Sequence, residues 1–211
     1  MFFISENSLI SIMASKVLLA LLLVAVAAAL VFVFMPKNDL SSDEALAKIS
    51  AVWNAKGIDV EESPLLGLEN SAALQSIDLD KANAEFVRLK GELSAKNFPE
   101  KEAVLRLIDL QILQASLAKK YSTYVDASNR LNELLMDPNM EDPCPNLALF
   151  EDEKAKSTEF RAAFDAAAKT TRQFIADYPA IAKKFNLFDL GEPLAEDGTA
   201  VDEAIASCRQ V

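Results

Sequence analysis

The chain has 211 residues, of which 51% are apolar and 25% are charged, so it is long and apolar enough to bury a core. It contains no histidine, which excludes sites that need an imidazole, such as the Ser/His/Asp triad and the HExxH zinc helix. Its five glycines form neither of the common phosphate-binding loops, GxGxxG and GxxxxGK[ST]. A net charge of −11 repels nucleic-acid phosphates, so we predict no nucleic-acid partner.

The strongest signal in the sequence is an uninterrupted apolar run near the N-terminus. Every residue from Val17 to Met35 is apolar, and further apolar residues between 9 and 13 extend the pattern. About 20 apolar residues in a helix cross a hydrocarbon core of about 30 Å. We therefore predict a transmembrane signal anchor over residues 9–35, preceded by a tail of residues 1–8, with the lipid bilayer as its partner.

Three alternatives to this N-terminal assignment stay open. The run is also compatible with a cleaved signal peptide, although its small residues, Ala27 to Ala29, lie in the middle rather than at the end. A prepilin-like signal has a similar layout, but Lys16-Val17 lacks the usual Gly or Ala after the basic residue. Met13 is an alternative start of the chain.

The orientation of the anchor is not fixed by its flanking charges, because Lys16 precedes the run and Lys37 follows it. We predict a single-pass protein of the cell membrane whose C-terminal domain lies outside the cytoplasm. Placement of that domain in the cytoplasm is the alternative.

The segment 36–79 is predicted to hold a juxtamembrane helix and an irregular linker. Ser41-Ser-Asp-Glu44 matches a capping box, in which the serine and glutamate side chains each satisfy a free backbone donor. Apolar residues then recur at helical spacing as far as Trp53, and Lys56-Gly57 ends the helix. The remaining residues predict irregular structure with one short helical turn at 70–75.

From residue 80 onward helical periodicity dominates and no strand is predicted, which indicates an acidic helical bundle over residues 80–211. We therefore assign the protein to the all-α class, with three main helices and short accessory helices. The main helices are predicted to begin at Asp78 or Asp80, at Pro99 and at Asn146.

Two features of the bundle follow from the spacing of its residues. The apolar stripe of the second main helix is widest in its first half, so we expect that half to be more buried. The proline-rich residues 137–146 predict a turn, and residues 180–185 and 199–208 predict short helices.

The two cysteines, Cys144 and Cys208, lie 64 residues apart, in the proline-rich turn and in the final short helix. In an oxidising compartment such a pair is typical of one disulfide, and we predict Cα atoms within about 7 Å of each other. The alternative is two free thiols in a reducing cytosol.

Acidic residues cluster at 137–153 and 196–203, but their order does not match a calcium-binding loop. Asp197-Gly-Thr-Ala-Val-Asp202, for example, lacks the alternating ligands and the closing glutamate of an EF-hand. We predict solvated helix faces and therefore no metal site. The sequence also offers no reactive constellation, so we predict no cofactor and no catalytic residue.

Aromatic residues recur at helical spacing, as expected for a bundle core, and an apolar ligand pocket between helices is the alternative. The aromatic residues concerned are Trp53, Tyr121, Tyr124, Phe160, Phe164, Phe174, Tyr178, Phe185 and Phe188.

Two functions are compatible with these features. The first is a non-enzymatic interaction or scaffold protein of the cell envelope, bound to a protein partner that the sequence does not identify. The second is a small-ligand-binding sensory domain that signals through a membrane partner. A closed, fully packed bundle favours the first, and an internal cavity with a few polar groups favours the second.

Overall fold

The computed structural model describes residues 39–67, 70–138, 142–192 and 199–209. In these residues the chain is all-helical and contains no strand, as predicted. The predicted tail and anchor, residues 1–8 and 9–35, lie outside the described residues. No helix within the described ranges is long and apolar enough to cross a membrane.

The described helices pack into a bundle. The three longest are α3 (Leu79–Ser94), α4 (Lys101–Leu135) and α5 (Leu147–Asp177). The shorter helices are α1 (Ser42–Asn54), α2 (Ser71–Ser76), α6 (Pro179–Lys184) and α7 (Thr199–Cys208). The predicted turn corresponds to the connection between α4 and α5, of which residues 139–141 are not described.

Side-chain caps begin α1 and α3 as the sequence predicts. The Ser41 hydroxyl accepts from the Glu44 N–H at 3.1 Å, and the Glu44 carboxylate accepts from the Ser41 N–H at 2.8 Å. The backbone and side-chain hydrogen bonds from Ser41 lower the pKa of Glu44. Asp78 caps α3 by accepting from the Lys81 N–H at 3.0 Å.

Of the other two predicted helix starts, the one at Pro99 is wrong and the one at Asn146 is confirmed without its side-chain cap. α4 begins at Lys101 rather than Pro99, because the Pro99 carbonyl accepts from the Ser42 hydroxyl at 2.8 Å and Glu100 adopts a left-handed conformation with φ of 54°. α5 begins at Leu147, directly after Asn146 as predicted, but the Asn146 side chain makes no capping hydrogen bond. A short 3₁₀ turn, Cys144–Asn146, leads into the helix.

α1 packs into the bundle with the longer helices. Asp39–Val211 forms one compact unit, and the inner face of α1 lies in the same core as α3 and α4. The Asp39 N–H donates to the Asn97 carbonyl at 2.7 Å, and Lys184 pairs with Asp43 at 3.2 Å. The residues at the start of α1 are therefore bonded to the loop between α3 and α4 and to α6.

The main core is centred on Trp53 of α1 and Phe86 of α3. Both are fully buried, and their ring centroids lie 5.2 Å apart. The Trp53 indole N–H donates to the buried Gln111 side-chain oxygen of α4 at 2.7 Å, which satisfies its polar atom inside the core. α1, α3 and the first half of α4 thus share one continuous apolar interior.

α4 and α5 run antiparallel, as three ion pairs between them show. Residues with higher numbers in α4 pair with residues with lower numbers in α5. The pairs are Arg106 with Asp177 at 3.2 Å, Lys120 with Glu159 at 3.7 Å, and Arg130 with Asp152 at 2.7 Å.

A second, smaller apolar cluster lies where the end of α4 meets the start of α5. Leu131, Phe150 and Ile205 of α7 are buried together there. On α4 most buried positions precede Lys119, which confirms that its first half is the more buried.

Candidate functional site

A cavity of about 690 Å³ opens between α4 and α5, between the main core and the small cluster. Its walls also include the turn before α2, α2 itself and the segment that follows α6. The volume is typical of pockets for small organic ligands, which range from about 300 to 1,000 Å³.

The cavity forms because the facing stretches of the two helices lack large buried side chains. In α4 no residue between Ala118 and Ala127 is buried, and in α5 none is buried between Phe150 and Ala167. Residues 118, 122, 126 and 129 share one face of α4, and all are small or polar. These small and polar side chains leave space between the helices unfilled, although Leu117, Tyr121 and Val125 also line the cavity from α4.

Aromatic rings form part of the cavity wall. Phe160 and Phe164 line the cavity from α5, Tyr121 from α4, and Phe188 from the segment after α6. The centroid of Phe160 lies 5.3 Å from that of Tyr121 and 6.2 Å from that of Phe164. Phe160 also stacks on Tyr124 with centroids 5.6 Å apart. Tyr121 is 51% exposed and Phe188 is 44% exposed, so both lie at the mouth of the cavity.

A row of polar side chains follows the α4 wall. Ser122, Asp126 and Asn129 are spaced by four and three residues, which places them on one helix face. Gln75 adds an amide from α2, and Asp126 is the one charged residue among the described lining residues. The cavity can therefore contact the apolar part of a ligand with its aromatic rings and the polar part of a ligand with its hydrogen-bonding side chains.

The segment after α6 is fixed to α5 by Arg172. The Arg172 guanidinium donates to the Asp189 carboxylate at 3.0 Å and to the Gly191 carbonyl at 2.9 Å. The side-chain hydrogen bond from Arg172 lowers the pKa of Asp189, and the Gly191 N–H adds to this effect. These bonds hold Phe188 and Leu190, one on each side of Asp189, in the cavity wall.

The turn before α2 is held by the buried side chain of Asn70. Its amide nitrogen donates to the Pro64 carbonyl at 2.8 Å and to the Ser63 hydroxyl at 3.3 Å. Leu65 is buried in the main core, whereas Leu66 lines the cavity. The hydrogen bonds of Asn70 and the burial of Leu65 thus fix the part of the turn that lines the cavity.

The structure divides the predicted aromatic set between core and cavity. Trp53, Phe174 and Phe185 are buried in the main core, which the core interpretation predicts. The four rings that line the cavity match the pocket alternative, and Tyr178 packs at the edge of the main core.

The polar residues of the α4 wall were not identified from the sequence. The sequence nevertheless contains a pattern that could have identified them. Ser122, Asp126 and Asn129 lie on one helix face, and the residues before them on this helix form a long apolar stripe. Where polar side chains replace apolar ones along a helix face, that part of the face is either exposed to solvent or forms the wall of a polar cavity.

Cys144 and Cys208 form the predicted disulfide. Their Cα atoms lie 5.1 Å apart and their sulfur atoms 2.14 Å apart, which agrees with the predicted limit of about 7 Å. The bond joins the 3₁₀ turn before α5 to the last residue of α7, and neither cysteine lines the cavity.

Acidic residues at the small-cluster end of the bundle pair with basic side chains. Glu151 pairs with Arg209 at 2.6 Å, and Asp202 pairs with Lys154. Glu153 forms no such close ion pair with any residue that the structure describes, and desolvation raises its pKa. In the ranges that the structure describes, no three acidic or cysteine side chains are grouped so as to hold a metal ion.

Comparisons with known proteins find no matching family model, curated protein or solved structure. The chemistry of the lining residues therefore carries the functional interpretation. Four features define the site: its volume, its aromatic wall, its polar row and the single carboxylate of Asp126.

Proposed function

We propose that the bundle of residues 39–209 binds a small amphipathic molecule in the cavity between α4 and α5. The observation that carries this proposal is the combination of aromatic rings and a row of polar side chains in one cavity of about 690 Å³. Concave apolar sites with a few polar groups are typical of ligand binding. This cavity favours the ligand-binding alternative over a scaffold, for which a closed and fully packed bundle was expected.

The chemistry of the cavity supports binding rather than catalysis. The chain has no histidine, and both cysteines are joined in the disulfide. Among the described lining residues, Asp126 is an unpaired carboxylate, whereas acid–base catalysis commonly uses two groups with separated pKa values. We therefore propose a non-enzymatic binding module.

The proposal keeps the predicted location: an anchor at residues 9–35 in the cell membrane, with the bundle outside the cytoplasm. The disulfide supports this location because such bonds persist in oxidising compartments. A protease added to intact cells should then digest the bundle. Protection of the bundle until the cells are opened would contradict the location.

Ligand binding would be passed on through the membrane helix to a protein partner, which is the second part of the sensory alternative. Co-purification from native membranes, with and without a saturating probe, tests this step. A partner whose recovery changes with the probe is expected, and unchanged recovery of every protein would contradict signalling.

Binding in the cavity can be tested by photolabelling the full chain in lipid nanodiscs. The probe is 4-benzoylbenzyl alcohol, a neutral aromatic molecule that forms covalent bonds on illumination. We expect labelled peptides from residues 117–129 and 160–164, and competition by 4-phenylbutan-1-ol. Labelling confined to residues 9–35, or spread evenly over the bundle, would overturn the proposal.

A matched pair of α4 variants controls for nonspecific labelling. Ser122→Phe places a large ring inside the cavity and should abolish labelling of residues 160–164. Thr123→Phe adds the same ring at the next position, which is exposed and does not line the cavity, and should leave labelling unchanged. Circular dichroism of both variants verifies that the helices are intact, so loss of labelling reports on the filled cavity.

A further inference from the structure

We infer that the ligand of this cavity is an organic monocation, with an amine or ammonium group on an apolar or aromatic body. The inference rests on the proposed ligand binding and adds the chemical class of the ligand. Its starting point is Asp126, the one charged side chain among the described residues that line the cavity. Within the described part of the chain, its carboxylate forms no hydrogen bond or ion pair.

Basic side chains close to Asp126 along α4 are paired with other carboxylates. Arg130 contacts Asp126 only through the backbone, donating from Nε to its carbonyl at 3.3 Å. The pairs are Lys119 with Asp80 at 2.5 Å, Lys120 with Glu159 at 3.7 Å, and Arg130 with Asp152 at 2.7 Å. Asp126 itself is exposed where it lines the cavity, so its carboxylate is accessible to a ligand.

Aromatic rings provide the second element that recognises a cation. The face of a tyrosine or phenylalanine ring attracts an ammonium group within about 6 Å of its centroid. Tyr121 lies little more than one helical turn before Asp126, and both line the cavity from α4. An ammonium group at the mouth lies near this carboxylate and this ring, while its apolar body packs on Phe160 and Phe164.

The charge of the whole chain acts in the same direction. A net charge of −11 raises the local concentration of cations and lowers that of anions. A carboxylate ligand would face Asp126 without a basic residue in the described lining to compensate it. A neutral amphiphile would gain the apolar contacts alone.

The test compares three molecules that share one body and differ in charge: 4-phenylbutylamine, which is protonated at pH 7, 4-phenylbutan-1-ol and 4-phenylbutanoate. Each competes with 4-benzoylbenzyl alcohol for labelling of residues 117–129 in the full chain in zwitterionic nanodiscs. An exposed charge pair changes a binding constant by a factor of about two to five. We therefore expect the amine to halve the labelling at a concentration about threefold lower than the alcohol requires. The carboxylate should halve the labelling only at a concentration about threefold higher than that of the alcohol. In 1 M salt, which screens charge, both concentration differences should become smaller.

Asp126→Asn should abolish the preference for the amine without preventing competition by the alcohol. Glu133→Gln removes the same charge from an exposed position of α4 outside the lining and should keep the preference. Equal competition by the three molecules, or a preference that survives in Asp126→Asn, would overturn the inference and leave the proposed binding intact. Absence of labelling in the cavity of the unaltered chain would instead overturn the proposed function.

Discussion

The two ends of the bundle differ in what holds them together. Where α1, α3 and the first half of α4 meet, Trp53 and Phe86 are fully buried in a continuous core. At the other end, Leu131, Phe150 and Ile205 form a much smaller buried cluster, and the Cys144–Cys208 bond ties α7 to the start of α5. Apolar burial is thus extensive at one end, whereas the other end combines little burial with a covalent link.

The cavity lies between these two regions, on helices that continue through both. α4 belongs to the main core before Lys119 and to the small cluster at Leu131. The space at residues 118–129 is therefore held open by packing on either side of it. The comparison indicates that incomplete packing in the middle of a helix pair is tolerated when both ends are fixed.

The largest effect on stability is expected from Trp53→Ala, which removes a fully buried side chain from the main core. Loss of the buried indole should lower the free energy of unfolding by about 3 to 5 kcal/mol. It also leaves the Gln111 side-chain oxygen, which accepts at 2.7 Å, without its donor. Urea unfolding of the full chain in nanodiscs, followed by circular dichroism, measures the change. Val87→Ala, on the exposed face of α3, is the matched control, and an equal loss in both variants would contradict the assigned core.

Removal of the disulfide tests the other end. In the chain-entropy model a bond closing a loop of this length contributes about 4 kcal/mol, and measured values are commonly about 2 to 4 kcal/mol. The double variant Cys144→Ser, Cys208→Ser should exchange amide hydrogens faster in α7, while exchange in α1 and α3 stays slow. Reduction of the unaltered chain should reproduce this pattern. Faster exchange throughout the bundle, or no change in α7, would contradict the proposed division.

A smaller effect is expected at Glu153, near the same end. Desolvation raises the pKa of this carboxyl above its unfolded value, so burying the charged form costs stability at neutral pH. The cost disappears as the pH falls through the raised pKa and the folded form takes up a proton. Glu153→Gln should therefore raise the free energy of unfolding at pH 7 by less than about 1 kcal/mol.

The pH dependence distinguishes this explanation from a change in packing. The advantage of Glu153→Gln should vanish near pH 4, where the carboxyl is protonated in both states to a large extent. Urea unfolding at pH 7 and pH 4 measures it, with Glu133→Gln as an exposed control. A stabilisation of equal size at both pH values would refute desolvation as its cause.

Local signals in the sequence predicted much of the fold because their partners lie within one helical turn. The Ser41 capping box and the Asp78 cap depend on residues three positions away, and both predictions are confirmed. The first half of α4 was predicted to be more buried from its apolar stripe alone. The disulfide was predicted from two cysteines and an expected compartment, and its geometry agrees.

Features that depend on contacts between distant residues were not predictable in this way. The start of α4 is shifted by a bond between Ser42 and Pro99, which are 57 residues apart. Similarly, the cavity depends on how the polar face of α4 aligns with the stretch of α5 around Phe160. The sequence showed the aromatic spacing, which a core and a cavity wall share, and so it left both interpretations open.

The most direct test of the account is amide hydrogen exchange of the full chain in nanodiscs, with and without saturating 4-phenylbutan-1-ol. A ligand in the cavity should slow exchange in residues 117–129 and 160–164. Residues 101–116 of the same helix α4, which are packed in the main core, should be unaffected. Unchanged exchange at 117–129, or slowing of equal size along the whole of α4, would contradict the proposal that the cavity is the binding site.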